Sequence, residues 1–153
     1  MSRLENRIPP PLVALAFAVV MAACARLLPW ATLRFSGQAL AAGAVLAAAL
    51  AVMAVAIGQF ARSRTTIDPL HLDKTRVLVA SGIFRVTRNP MYLALTLILA
   101  AWAVWLGNAA GVVLIAAFVA YIDRLQIAPE ERALRTKFGE EFEAYARKVR
   151  RWI

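Results

Sequence analysis

At 153 residues the chain has room for one domain, and with 61% hydrophobic against 18% charged residues it is too apolar for an ordinary soluble one. The 18 Lys and Arg residues outnumber the 9 Asp and Glu, giving a formal charge of +9, and nearly all of them sit between long apolar blocks. A bilayer imposes that arrangement because charge in hydrocarbon is costly; a soluble four-helix bundle would spread its charges along each helix. One cysteine, Cys24, and one histidine, His71, exclude a disulfide framework and a multi-cysteine or histidine-based metal centre.

The first apolar run, Pro11 to Leu28, is broken only by Arg26 near its end. It is longer than a signal-peptide core and is followed by Arg26 and Pro29 without a small-residue cleavage site, so it reads as a retained span. Gln38 to Ala61 carries no charge and is long enough to cross about 30 Å of hydrocarbon at about 1.5 Å per residue. Met91 to Leu106 and a run opening at Ala109, apolar to Ile122, are separated by Gly107 and Asn108 alone, which predicts a tight antiparallel hairpin. Each run falls short of the roughly 20 residues of an unaided span, so the pair thins the bilayer, recruits flanking residues, or enters without crossing.

These runs predict an all-α integral membrane protein: one membrane domain over 1–153, with about four transmembrane helices at 11–28, 38–61, 91–106 and 109–127. A polar loop over 62–89 and a C-terminal amphipathic segment over 129–153 complete it. The cations fall two before the first span, two at the first connection, six between Arg62 and Arg88, none in the hairpin turn and eight from Arg124 onward. By the positive-inside rule both termini and the 62–89 loop face the cytoplasm, and the basic surface meets anionic lipid headgroups, with no nucleic acid required.

The connection from Arg62 to Asn89 is long for a mere connector and holds Thr65, Thr66, Asp68, Pro69, His71, Ser81 and Gly82. Its apolar residues, among them Ile83 and Phe84, predict that it folds back on the protein, while Thr65-Thr66 and Asp68-Pro69 fit a structured turn. Arg88-Asn89-Pro90-Met91-Tyr92 predicts a helix start, with Asn89 as N-cap and Pro90 at the first helical position. Such a start, with Arg88 beside it, is a seat for a carboxylate or phosphate, and Tyr92 and Asn89 lie on neighbouring faces within reach of a small polar ligand. A plain cap and a topology-setting arginine account for the same residues.

At the exit of the last span, Pro129, Glu130 and Glu131 suit another helix N-terminus. Leu134, Phe138, Phe142, Tyr145 and Val149 then recur at helical spacing to form one apolar face, with Gly139 dividing the segment into two short helices. Arg147, Lys148, Arg150 and Arg151 anchor its end to the membrane surface.

In order and spacing, Ser81-Gly82-Ile83-Phe84-Arg85, then RNPMY, the apolar hairpin, PEERAL, FGEEFEAY and RKVRRWI resemble the isoprenylcysteine carboxyl methyltransferases and their phospholipid methyltransferase relatives. The resemblance runs from about Thr65 to the C-terminus. It implies a membrane-embedded enzyme, of small prokaryotic type in the inner membrane, that takes a methyl group from S-adenosylmethionine on the cytoplasmic side. The product would be S-adenosylhomocysteine, and the partner a lipophilic acceptor entering from the bilayer, a prenylcysteine-type carboxylate being one candidate. Carried over by motif, Gly82, Asn89, Pro90 and Tyr92 would line the cofactor, Glu130 and Glu131 would close the pocket, and Arg147 and Lys148 would seal it.

Arg88 and Glu131 are the catalytic candidates. A carboxylate acceptor needs a cation to orient it, Arg88 or Arg147, whereas an amine or alcohol must lose a proton and turns attention to Glu131 or Tyr92. Two positions depart from the family pattern: Asn89 stands where histidine is common, and Phe84 where tyrosine is usual. A membrane reductase related to sterol reductases and a non-enzymatic membrane scaffold are the alternatives.

Overall fold

A computed structural model of the chain describes residues 8–62 and 77–153. Arg3, Arg7 and the middle of the polar connection, including Thr65, Thr66, Asp68, Pro69 and His71, lie outside the described residues.

The described chain is helical, and among the described residues the sole β contact is a bridge between Thr32 and Asn108. Helix α1 covers Pro10–Leu27, opening on prolines whose fixed φ suits a first turn, and α2 covers Gln38–Arg62. After a 3-10 turn at Gly82–Arg85, α3 covers Pro90–Leu106 and α4 covers Ala110–Ile122. Two shorter helices follow, α5 at Ala128–Phe138 and α6 at Glu140–Lys148. Three helical stretches are long and apolar enough to cross a membrane: α1, α2, and the continuous run from Ala110 to Phe138; α3 is shorter and equally apolar. The all-α membrane architecture expected from the apolar runs is the one observed.

α3 is the central helix, packed by α1, α2 and α4. Its seam with α2 is made of alanines seven residues apart, Ala42, Ala49 and Ala56 on one side and Ala94 and Ala101 on the other, all buried. In lipid, where apolar side chains gain nothing from leaving their surroundings, small residues hold helices together by letting backbones approach. The rest of α2 presents Leu40, Leu46, Leu50 and Val55 outward, the surface hydrocarbon requires. A second core of Val13, Met21, Leu99, Phe118, Ile122 and Ile127 joins α1, α3 and α4, with Phe17 edge-on to Phe118 at 5.5 Å.

The two loops at one end of the bundle are bound to each other. Leu33 N–H donates to Gly107 O at 2.7 Å, Ala109 N–H to Ala31 O at 2.9 Å, and Asn108 Nδ2 to Leu28 O at 3.0 Å. Gln38 Nε2 reaches the terminal carbonyls of α3 at Val104 and Trp105, 2.8 and 3.0 Å away, satisfying groups a helix end leaves open. Gly107 is required there: its φ is +59°, and a Cβ would lie 2.6 Å from Gln38 Nε2 and 2.9 Å from Leu33 O.

At the opposite end the expected helix start at Pro129 is corrected. α4 runs on through a π-helical stretch, Asp123–Ile127, into α5 without a break. A proline inside a helix lacks its N–H and its ring crowds the carbonyl four residues back; the wider π turn just before Pro129 absorbs both. Glu130 and Glu131 are therefore side chains of a continuing helix and not companions of a free helix end. Gly139, at φ +50°, does divide α5 from α6, and the apolar face places Phe142 and Val149 inside, with Tyr145 Oη donating to Phe84 O at 2.7 Å.

The α2–α3 seam has no space for a larger side chain at Ala49, which is 0% exposed. Ala49→Leu is expected to cost about 1–3 kcal/mol by overpacking, read as a lower Tm in detergent, whereas Ala48→Leu on the exposed face leaves Tm unchanged.

Candidate functional site

The polar side chains converge where α3 begins, the π stretch runs into α5, and the chain ends. After α6 the backbone turns extended at Val149 and lies across the Thr87–Asn89 turn. Arg88 N–H donates to Arg150 O at 3.0 Å, and Asn89 Nδ2 and Thr87 Oγ1 donate to Arg151 O at 2.9 and 3.3 Å. Asn89 occupies the N-cap position but does not cap α3 through its side chain; it fastens the extended C-terminal segment instead, correcting the expected role. Its own N–H is taken by Thr87 Oγ1 at 3.1 Å.

Glu131 sits at the centre, its side chain 7% exposed. Its Oε1 accepts from Arg88 Nη2 at 2.7 Å and Arg151 Nε at 3.1 Å, and its Oε2 accepts from Arg151 Nη2 at 2.5 Å. Arg151 Nη1 turns the other way onto both oxygens of Asp123, at 3.1 and 2.9 Å, where Trp152 Nε1 also donates at 3.3 Å. Arg88 gives Nη1 to the carbonyls of Ala146 and Val149, 2.9 and 2.7 Å away. Its Nε is buried and has no hydrogen-bond partner.

The apolar part of this helix ends at Ile122, and the charged residues beyond it project past the spanning portion. Burial alone would raise the Glu131 carboxyl, but hydrogen bonds from Arg151 and Arg88, with their charges, outweigh it and hold the group below the usual carboxylate range. Glu130 differs. Its partner is the neutral Tyr92 hydroxyl, which donates to Oε1 at 2.5 Å. Burial, opposed by that hydrogen bond and reinforced by the charge of Glu131, pushes its carboxyl up to about 7. Of the three carboxylates gathered here, Asp123 and Glu131 are neutralised by arginines, and Glu130 has no ion-pair partner among the described residues.

The structure thus brings together Arg88, Asn89, Pro90, Tyr92, Glu130 and Glu131 from the residues singled out in the sequence. Gly82 lies at the edge, in the 3-10 turn against the end of α2; at φ +59°, a Cβ there would meet Gln59 Oε1 at 2.7 Å. Arg147 and Lys148 are exposed on α6 and take no part in the cluster. Arg151, read in sequence as a surface anchor, points inward to Glu131 and Asp123, and Asp123 itself drew no attention. The signal for Asp123 was present: a lone acid at the border of a 13-residue apolar helix needs a counter-charge.

A family described as phospholipid methyltransferase matches residues 37–141. An uncharacterized protein from Haemophilus influenzae is 49% identical over 63 residues, which is 41% of this chain and the whole of that protein. No solved structure matches the chain.

Removing the negative charge at Glu131 leaves two guanidinium groups without their shared partner. Glu131→Gln is expected to cost about 3 kcal/mol, measured by denaturation in detergent, because a broken buried pair strands a charge. Since the folded state holds Glu131 below its ordinary range, its stabilisation is complete above that range and is lost as pH falls through the folded value. Glu131→Gln should therefore flatten the acid limb of a Tm-against-pH curve.

Proposed function

The chain belongs to the phospholipid methyltransferase family, whose members are membrane methyltransferases, and from that premise we propose that it uses S-adenosylmethionine to methylate a lipophilic acceptor drawn from the bilayer. The observation that carries the proposal to particular residues is the Glu130 carboxyl, bonded to the Tyr92 hydroxyl and with no ion-pair partner among the described residues, within a polar cluster otherwise neutralised.

The residues suit the donor's chemistry. S-adenosylmethionine would supply an electrophilic methyl on a sulfonium. Glu130 offers the anion that its ammonium or sulfonium requires. Three of the five Arg88 donors are already committed, and Glu131 is held by two arginines. In this reading Glu131, Arg151 and Asp123 are positioning residues: they clamp α5 to the start of α3, so that Glu130 and Tyr92 meet. Asn89 and Pro90 set the start of α3, and Gly82 shapes the approach from the α2 end.

Transfer is an in-line displacement in which the acceptor's electron pair forms the new bond to carbon as the carbon–sulfur bond breaks, its electrons returning to sulfur. The protein's task is to align acceptor and methyl and to keep water out. A carboxylate acceptor needs no base; a protonated amine or an alcohol must give up a proton, and Glu130, titrating near 7, is the nearest group able to take it. Arg62, Arg85 and Arg88 lie at this end of the bundle with the C-terminal cations, which supports a cytoplasmic site by the positive-inside rule. The family assignment favours methyl transfer over the reductase and scaffold alternatives.

Calorimetry with S-adenosylmethionine and S-adenosylhomocysteine on the detergent-purified protein tests this. Wild type should bind, and Glu130→Gln should weaken S-adenosylmethionine by roughly ten- to a hundredfold, the loss of a charge-assisted hydrogen bond, while its Tm stays close to wild type. A folded wild type that binds neither compound overturns the proposal.

Affinity should also rise with pH through about 7, as Glu130 ionises. Tyr92→Phe removes the hydrogen bond that lowers the Glu130 value, so the midpoint should move upward.

A further inference from the structure

The apolar helices do not offer lipid the same height. At the end away from the polar cluster they share one level: Thr32 bridges to Asn108, Asn108 Nδ2 bonds Leu28 O, and Gln38 Nε2 bonds the last carbonyls of α3. Trp30 and Phe35 on this connection are 81% and 55% exposed. Exposed aromatic rings at the end of a spanning bundle belong at the headgroup boundary, which fixes that level in the bilayer.

Above it α2 carries no polar side chain from Ala39 to Gly58, a rise of about 30 Å at about 1.5 Å per residue, the thickness of an ordinary hydrocarbon core. α4 is shorter. Its exposed side chains follow one face, Val112, Val113, Ala116, Ala117 and Ala120, and the next exposed residue is Arg124. Arg124 stands only about 24 Å above Asn108, and any tilt of the helix lowers it further. It has no ion-pair partner among the described residues.

An arginine can reach a more distant surface by snorkelling, but helical side chains lean toward the helix N-terminus, and α4 begins at the far end. Arg124 therefore leans into the bilayer and away from the nearer headgroups. Its helix continues past it into α5, so fraying does not lift it out. A span short by about 6 Å that cannot lengthen is matched by a thinner bilayer.

We propose that the exposed face of α4 thins the membrane locally: the headgroup layer on the polar-cluster side dips by about 6 Å beside α4, with Arg124 contacting lipid phosphate, and stays level beside α2. α2 and α4 flank α3 and share no seam, so the two heights coexist in one bundle. The dip brings lipid phosphates to the level of Asp123 and Arg151, at the edge of the cluster.

Leu50 on α2 and Ala120 on α4 are both exposed and stand at about the same height, about 18 Å above the shared level. A flat bilayer gives nitroxides at the two positions the same surroundings; a dip at α4 does not. In the Cys24→Ser background, a nitroxide is attached to Leu50→Cys or Ala120→Cys in dioleoylphosphatidylcholine vesicles, and power saturation reads its access to a nickel chelate against oxygen. The chelate-to-oxygen ratio should be severalfold higher at Ala120 than at Leu50. Arg124→Leu should bring it down to the Leu50 value, and Arg124→Lys, which keeps the cation, should not. Equal ratios with Arg124 in place overturn the proposal, and so does a difference that persists in Arg124→Leu.

Stability gives a second readout on the unlabelled protein. Its Tm should fall by about 5–10 °C from dimyristoyl- to dierucoylphosphatidylcholine, as thicker bilayers raise the cost of the mismatch, and Arg124→Leu should flatten that slope. A Tm that is flat or rises with chain length overturns the proposal.

Discussion

A buried carboxylate shared by two arginines holds the working end of this molecule together. Glu131 lies on α5, Arg88 at the start of α3 and Arg151 in the C-terminal segment, so one side chain ties three segments distant in sequence. The geometry is suited to burial: both Glu131 oxygens accept, Arg151 is forked between two carboxylates, and Arg88 Nη1 is taken by two backbone carbonyls. Buried ion pairs stabilise only when their remaining hydrogen bonds are satisfied, and here nearly all are.

The π turn is what allows Glu130 and Glu131 to divide their work. Pro129 would break a regular helix, and a fresh start at that point would have offered the acids to free backbone N–H groups. The helix instead continues, one acid facing the arginine clamp and its neighbour facing the phenol of Tyr92. Adjacent carboxylates thereby acquire opposite character, one held ionised by charge and the other lifted by burial toward neutrality. That separation follows from their partners, two guanidinium groups for Glu131 and a neutral phenol for Glu130.

The far end of the bundle is organised without charge. The α1–α2 connection and the α3–α4 turn bond to one another through backbone groups, Asn108 and Gln38, and the helices rise from that base toward the polar cluster. α3 touches all three of its neighbours, while α1 and α2 leave an apolar groove over it along one side.

Much of this was legible in the sequence. Apolar blocks free of charge dictated helices and a membrane, since backbone polar groups in lipid must be satisfied within the segment. Gly107-Asn108 dictated the hairpin, Gly139 the break between α5 and α6, and RNPMY followed by PEERAL marked the two segments that meet. Which atoms meet was decided by tertiary structure alone. Local rules read Asn89 as a cap, Pro129 as a start and Arg151 as a surface anchor, because propensity describes a residue's neighbours in sequence and not the groups folding brings to it. Asn89 instead fastens the C-terminal segment, Pro129 is carried by a π turn, and Arg151 turns inward because buried Glu131 and half-buried Asp123 both need a counter-charge.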